Sequence, residues 1–196
     1  KRTVQTITYM PHFISLVVIV GIMFDFLARD GLINQILSAV FGIKPIAFMG
    51  EASWFRTLYI GSDLWQNIGW SSIIYLAAIS TVDPSLYEAA KMDGAGRYKQ
   101  MLHITLPSIL PTISILLILF IGSFMSVGTE KILLMYNPLT YQTSDVIQTY
   151  VFRKGILEFN YSYSAAVGLF NSIVSFALLI MANAIARKTS ESNKLW

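Results

Sequence analysis

Four stretches of this chain carry no ionised side chain and approach or reach the length that a bilayer demands of a helix. They run from Ile7 to Phe24, Leu64 to Val82, Ile109 to Val127 and Tyr161 to Ala186. A membrane-crossing helix needs about 20 predominantly apolar residues. Any one run could be a buried helix of a soluble protein, but four within 196 residues argue against that. Charged residues make up only 13% of the chain, against about a quarter in a soluble domain. The fold class expected is all-α, a polytopic transmembrane helical bundle. Its spans fall at about 7–28, 56–82, 108–128 and 161–187, with a loop at 83–107 between the second and third. No internal repeat or low-complexity tract is present.

Four spans place both ends of the segment on one side. If that side is cytoplasmic, the inner segments hold Lys1, Arg2, Lys91, Arg97, Lys99, Arg187, Lys188 and Lys194, eight basic residues. The outer segments hold six: Arg29, Lys44, Arg56, Lys131, Arg153 and Lys154. The excess is small, but the inner residues cluster near span ends, as the positive-inside rule requires. The net charge of +3 is scattered between apolar runs and forms no basic patch, so no nucleic acid partner is expected. There are no cysteines, which excludes disulfides, thiolate metal sites and cysteine nucleophiles. Position 1 is Lys, and the chain reads as the C-terminal part of a longer protein.

On the outer side, Gly31 to Phe48 is apolar but interrupted by Gly42 and Pro45, and reads as a helix lying at the interface. Tyr136 to Asn160 opens on Asn137-Pro138 and holds a short amphipathic stretch from Val146 to Phe152. Asp25 and Arg29 stand four apart at the end of the first span, the spacing of a helical ion pair.

The loop from Asp83 to Pro107 reads DPSLYEAAKMDGAGRYKQMLHITLP. Asp83 can cap a helix whose first residue is Pro84, where a missing N–H costs nothing. Gly94 can supply the left-handed residue that ends it. A second short helix starts near Arg97, and Leu106-Pro107 leads into the third span. Leu86, Ala89 and Ala90 share one face at i, i+3 and i+4, a shallow apolar surface that another protein can approach closely.

Glu88-Ala89-Ala90, Gly94, Ile104 and Leu106-Pro107 stand at the spacing of the EAA loop, and on these residues the chain resembles binding-protein-dependent ABC permeases. A capped helix–glycine–helix connection explains Asp83, Pro84 and Gly94, but not Ile104 and Leu106-Pro107 at fixed distance. Pro11 to Ser15, Ser62 to Ser80 and Tyr136-Asn137-Pro138 are similar to the carbohydrate-importing branch, most of all to the group handling complex oligosaccharides. The resemblance implies six spans in the whole permease, two of them before Lys1, in a prokaryotic inner membrane. It implies a second homologous permease subunit, a cytoplasmic ATPase dimer docked on the EAA helix, and an external solute-binding protein. No Walker-type phosphate loop occurs in the chain. No cofactor is therefore expected on this chain, and ATP and Mg belong to the partner ATPase.

Polar groups inside spans are costly and face protein or water. In the second span Asp63, Gln66, Asn67 and Trp70 share one helical face. Ser123, Ser126 and Glu130 do so in the third, and Gly168, Asn171, Ser172 and Ser175 in the fourth. The face of the second span suits a water-lined substrate path, because Asp, Gln and Asn pack poorly. The fourth span's face suits close packing by small residues. Candidate path residues are Asp63, Gln66, Asn67, Trp70, Ser123, Glu130 and Asn171, with Glu130-Lys131 alternatively a simple interfacial charge pair. His12 and His103 stand alone, so no metal site is expected. No nucleophile–base pair stands out either, and no catalytic residue is assigned. A permease for an amino acid, peptide or phosphate, a secondary transporter and an assembly protein remain as alternatives.

Overall fold

The computed structural model describes residues 2–125 and 128–189. Of the residues drawn on above, Lys1, Ser126, Val127 and Lys194 lie outside these, as do the side chains of Arg2, Arg187 and Lys188. The described chain is helical with no strand. Its α-helices are α1 (Arg2–Tyr9), α2 (Leu16–Leu27), α3 (Leu32–Phe41), α4 (Ala52–Ser80), α5 (Pro84–Met92) and α6 (Arg97–Gln100). These are followed by α7 (Leu106–Ser123), α8 (Thr129–Met135), α9 (Tyr141–Ser144), α10 (Ile147–Phe152) and α11 (Tyr161–Thr189). Single π-helical turns join α6 to α7 at Met101–Thr105 and follow α10 at Arg153–Leu157.

By length and apolarity, two described helices can cross a membrane: Arg97–Ser123 and Tyr161–Ala186. The number rises to three if the bent pair Thr3–Phe13 and Leu16–Phe41 forms one span. The four spans drawn from the sequence are thus not reproduced one for one. Helix α4 has 29 residues, about 44 Å at 1.5 Å each, so it is long enough. Asp63, Gln66 and Asn67 at its middle keep it below the apolarity of the other two. The first span, expected to be continuous over 7–28, is broken instead. A 3-10 turn at Met10–Phe13 opens around Pro11, Ile14 and Ser15 are extended, and the two halves meet at 95°. Proline cannot return a hydrogen bond to the preceding turn, and the Ile14 carbonyl is taken by Gln66 Nε2 at 3.3 Å. That rung lies 52 residues away, which no helical period can anticipate.

Two compact units divide the chain. The first draws on Lys1–Trp70 and Ser126–Gly168, the second on Ser71–Met125 and Leu169–Trp196. In the first unit Val20, Phe55, Ile132 and Met135 form the buried core, with Leu58, Tyr59 and Leu134 against it. Helix α1 crosses α4 at Gly69, where any Cβ would collide with the Thr8 carbonyl. Asn34 clamps the end of the short α3: its amide donates to the Ala28 and Ile46 carbonyls at 2.7 and 2.8 Å and accepts from the Ile46 N–H at 2.9 Å. Gly42 at φ 65° closes this helix, and extended chain follows, so the interfacial helix is shorter than the Gly31–Phe48 reading. The Asp25–Arg29 ion pair is absent among the described residues. Helix α2 ends at Leu27, so their four-residue spacing is no longer helical.

In the second unit, α7 packs on the later part of α11. A Cβ on Gly122 would meet Leu179 Cδ1 at 2.7 Å, and Ile118 and Ala182 are buried nearby. The close approach uses Gly122 and not Gly168, beside which a Cβ meets nothing within 4 Å.

Candidate coupling loop and polar cavity

The segment from Asp83 to Pro107 folds from its own sequence. The Ser85 N–H donates to Asp83 Oδ1 at 2.9 Å, and this bond holds the Asp83 carboxyl below its ordinary pKa. Pro84 takes the first helical position. At the other end Gly94 has φ 71°. Its N–H donates to the Lys91 carbonyl at 3.0 Å and the Ala95 N–H to the Ala90 carbonyl at 2.8 Å. Those two bonds are the Schellman closure, which needs the left-handed residue. Gly94 therefore does what the sequence assigns to it.

Glu88 and Ala89 are exposed, Leu86 is 47% exposed, and no residue of α5 or α6 is buried. Ala90, Ala95, Lys99, Gln100, His103 and Ile104 line an open groove of about 380 Å³. Ile104 is half-buried, while Leu106 and Pro107 are exposed at the start of α7. Pro107 and Pro111 each deny a backbone donor to the turn before them. The π-helical turn Met101–Thr105 lies just ahead of the first. One brace was not visible in the sequence: the Tyr87 hydroxyl meets Thr105 Oγ1 at 2.8 Å. It fastens the exposed helix to that turn.

In the first unit, a cavity of about 340 Å³ is lined by residues that include His12, Tyr59, Asp63, Gln66, Asn67, Glu130 and Lys131. Its polar groups form a connected row. Lys131 Nζ lies 3.5 Å from Asp63 Oδ1, Asn67 Nδ2 donates to that same oxygen at 3.1 Å, and Asn67 Oδ1 faces His12 Nδ1 at 3.2 Å. The His12 ring stacks on Trp70 at 4.6 Å. Sequence spacing correctly gathers Asp63, Gln66, Asn67 and Trp70 on one face of α4. It assigns Glu130-Lys131 as an alternative charge pair, whereas Lys131 in fact pairs with Asp63 and Glu130 stays exposed. Gln66 is buried, donates to the Ile14 carbonyl and also lines the cavity.

The remaining candidates lie in the second unit. Ser123 is exposed with its hydroxyl on the Phe120 carbonyl at 3.1 Å. Asn171 is half-buried, and its Oδ1 has no hydrogen-bond partner among the described residues. The residues that spacing missed are His12, Tyr59 and Lys131. The one available signal was a lysine set against the apolar run Ile132 to Met135.

A family model described as the binding-protein-dependent transport system inner membrane component matches residues 1–191. The protein LplB of Bacillus subtilis (strain 168) is 48% identical over 189 residues, covering 96% of this chain and 59% of its own length. The polygalacturonan/rhamnogalacturonan transport system permease protein YteP of the same organism is 47% identical over 192 residues, covering 97% and 60%. A solved bacterial alginate ABC transporter, in complex with an alginate pentasaccharide-bound periplasmic protein, has a chain of the same fold. Its TM-score is 0.92 and its identity 43%, over 96% of this chain and 65% of that one. The chain thus spans less than two thirds of each. A match from the first residue almost to the last, on a fold with its exposed loop intact, carries the conclusion: this chain belongs to the family of binding-protein-dependent transport system inner membrane components.

Proposed function

We propose that this chain is the greater part of a transmembrane permease subunit in an ATP-driven, binding-protein-dependent importer of carbohydrates, in particular oligosaccharides. The observation that carries the coupling half is the α5 helix, closed at Gly94, exposed at Glu88 and Ala89 and half-buried at Ala90 on the edge of the open groove. An exposed helix that sets Leu86, Ala89 and Ala90 on one face beside an open groove is a docking face for a second protein. The partner there is an ATPase dimer that holds the ATP and Mg, so this chain performs no catalysis. Glu88, Ala89, Ala90 and Gly94 make the contact, and Ile104, Leu106 and Pro107 pass the movement into α7. A second homologous permease and an external solute-binding protein complete the assembly.

The substrate half is supported by the relatives, two of whose names specify polygalacturonan/rhamnogalacturonan and alginate, and by the cavity row. Carboxylate and amide groups bond sugar hydroxyls, and Trp70, 45% exposed, offers a flat apolar face to a ring. Asp63, Asn67, Trp70 and Glu130 are the proposed path residues in the first unit, with Ser123 and Asn171 in the second.

The test purifies the full-length permease with the subunits that accompany it and reconstitutes the assembly in liposomes. ATP hydrolysis should rise when a binding protein loaded with oligosaccharide is added. Stimulation only by a binding protein loaded with an amino acid, peptide or phosphate would replace the substrate class. Uptake without any ATPase would remove the ABC reading.

A further inference from the structure

Lys131 is 3% exposed. Its ammonium has three N–H donors, yet Nζ has no hydrogen-bond partner among the described residues. Asp63 Oδ1 at 3.5 Å is near enough for Coulomb attraction. It is too far for a charge-assisted hydrogen bond, which runs about 2.7–2.9 Å. The Tyr59 ring, 5.3 Å away, contributes its negative face. The cation is thus desolvated, fixed and short of acceptors, on the wall of a cavity large enough for a small ligand. Its counter-ion differs: the Asp63 side chain is 49% exposed and already held by Asn67. Asp63 can turn to water, and Lys131 cannot.

We propose that Lys131 selects acidic sugars by exchanging Asp63 for a carboxylate of the passing oligosaccharide. The inference rests on the permease reading above and names its substrate class as uronate-containing chains. A sugar carboxylate entering the cavity takes the ammonium's open donors, and Asp63 is released to the aqueous side. Asp63 and Glu130 against Lys131 leave the cavity with an excess of negative charge before exchange. An anion therefore enters only where it displaces Asp63, whereas a neutral sugar gains nothing by doing so. The ion pair is a lock that a carboxylate opens.

This makes the two partners respond with opposite sign. The assembled full-length transporter in liposomes, with the same binding protein in every arm, is given trigalacturonate or its methyl ester. Wild type should prefer the free acid. Lys131→Gln should lower that preference about tenfold or more, the worth of a lost charged hydrogen bond. Asp63→Asn should raise it, because the competing carboxylate is gone. The double variant carries a neutral, near-isosteric pair, so it serves where Lys131→Gln alone fails to assemble. It should show the same lost preference. A preference that survives Lys131→Gln or the double variant overturns the proposal. So does an Asp63→Asn change in the same direction as Lys131→Gln, which would mark the pair as structural. A wild type that imports neutral oligosaccharides alone overturns the proposal and leaves the permease reading standing. Failure to import any sugar overturns both.

Discussion

The segment 83–107 and the segment 128–160 both connect long helices, and they are finished in opposite ways. In the first, neither helix nor the π turn contains a buried residue. Its shape comes from local devices: a cap at Asp83, a left-handed stop at Gly94 and one side-chain brace from Tyr87. In the second, Lys131, Ile132, Met135, Thr140, Ser144, Thr149 and Gly155 are all buried. Asn137 donates to the Met49 carbonyl and Thr143 to the Ala52 carbonyl, 88 and 91 residues away. A connection shaped by local bonds leaves most of its side chains for a partner; a connection tied to distant carbonyls has used most of its own, with Lys131 an exception.

The largest expected effect tests whether the two segments face opposite sides of the membrane. Cysteines are absent from this chain, so Ser85→Cys and Leu139→Cys, each placed in a full-length permease freed of any cysteine elsewhere, can be probed with an impermeant thiol reagent on intact cells. Both positions are exposed. Position 139 should label and position 85 should not. The reverse pattern would invert the topology and detach the 83–107 segment from any cytoplasmic ATPase.

Next in size is Gly94→Val. A side chain at φ 71° costs about 1–2 kcal/mol and dissolves the Schellman closure, which misdirects α5. Uptake should fall by roughly tenfold or more, in keeping with that cost, with the ATPase lost from the assembly or running uncoupled. Normal uptake would show the segment to be a connector only.

Thr149→Val probes the other segment. The Thr149 hydroxyl is fully buried, donates to Asp145 Oδ1 at 2.6 Å and accepts the Val146 N–H at 2.9 Å. Leaving those groups unpaired costs about 1–3 kcal/mol. Thermal unfolding in detergent should shift down by several degrees. An unchanged midpoint would mean the segment is not held by its side chains.

The smallest effect is one of pH. Burial pushes the Asp145 carboxyl up, but bonds from Arg153 and Thr149 outweigh it and hold the pKa below the ordinary value. A lowered folded pKa gives stability that is present above the unfolded pKa and lost as pH falls through the folded one. Stability should therefore drop below the ordinary carboxylate range, and Asp145→Asn should flatten the profile there. An equally steep acid limb in the variant would assign it to other carboxylates.

The difference between the segments also explains what could be read in advance. Asp83, Pro84 and Gly94 act within a turn of their own position, so spacing alone reveals them. The family motif begins on that same helix and ends at the start of α7. The face of α4 from Asp63 to Trp70 was visible too, because it follows helical period. The ion pair from Lys131 to Asp63 spans 68 residues of sequence, and nothing local announces it. The break at Ile14–Ser15 was hidden for the same reason, since the carbonyl freed at the break finds its donor on Gln66. The Asp25–Arg29 pairing failed because the helix that would align them stops at Leu27.

Pro107 and Pro111, with the π turn before them, have a mechanical consequence. A helix is stiff because its rungs are evenly bonded, and these prolines remove two rungs within one turn and a half of the start of α7. Compliance is thereby concentrated between residues 101 and 111, while the stretch from Pro111 to Ser123 keeps its ladder. The Tyr87–Thr105 contact falls on this soft joint. A load on that joint would change its angle before it bent the evenly bonded stretch beyond.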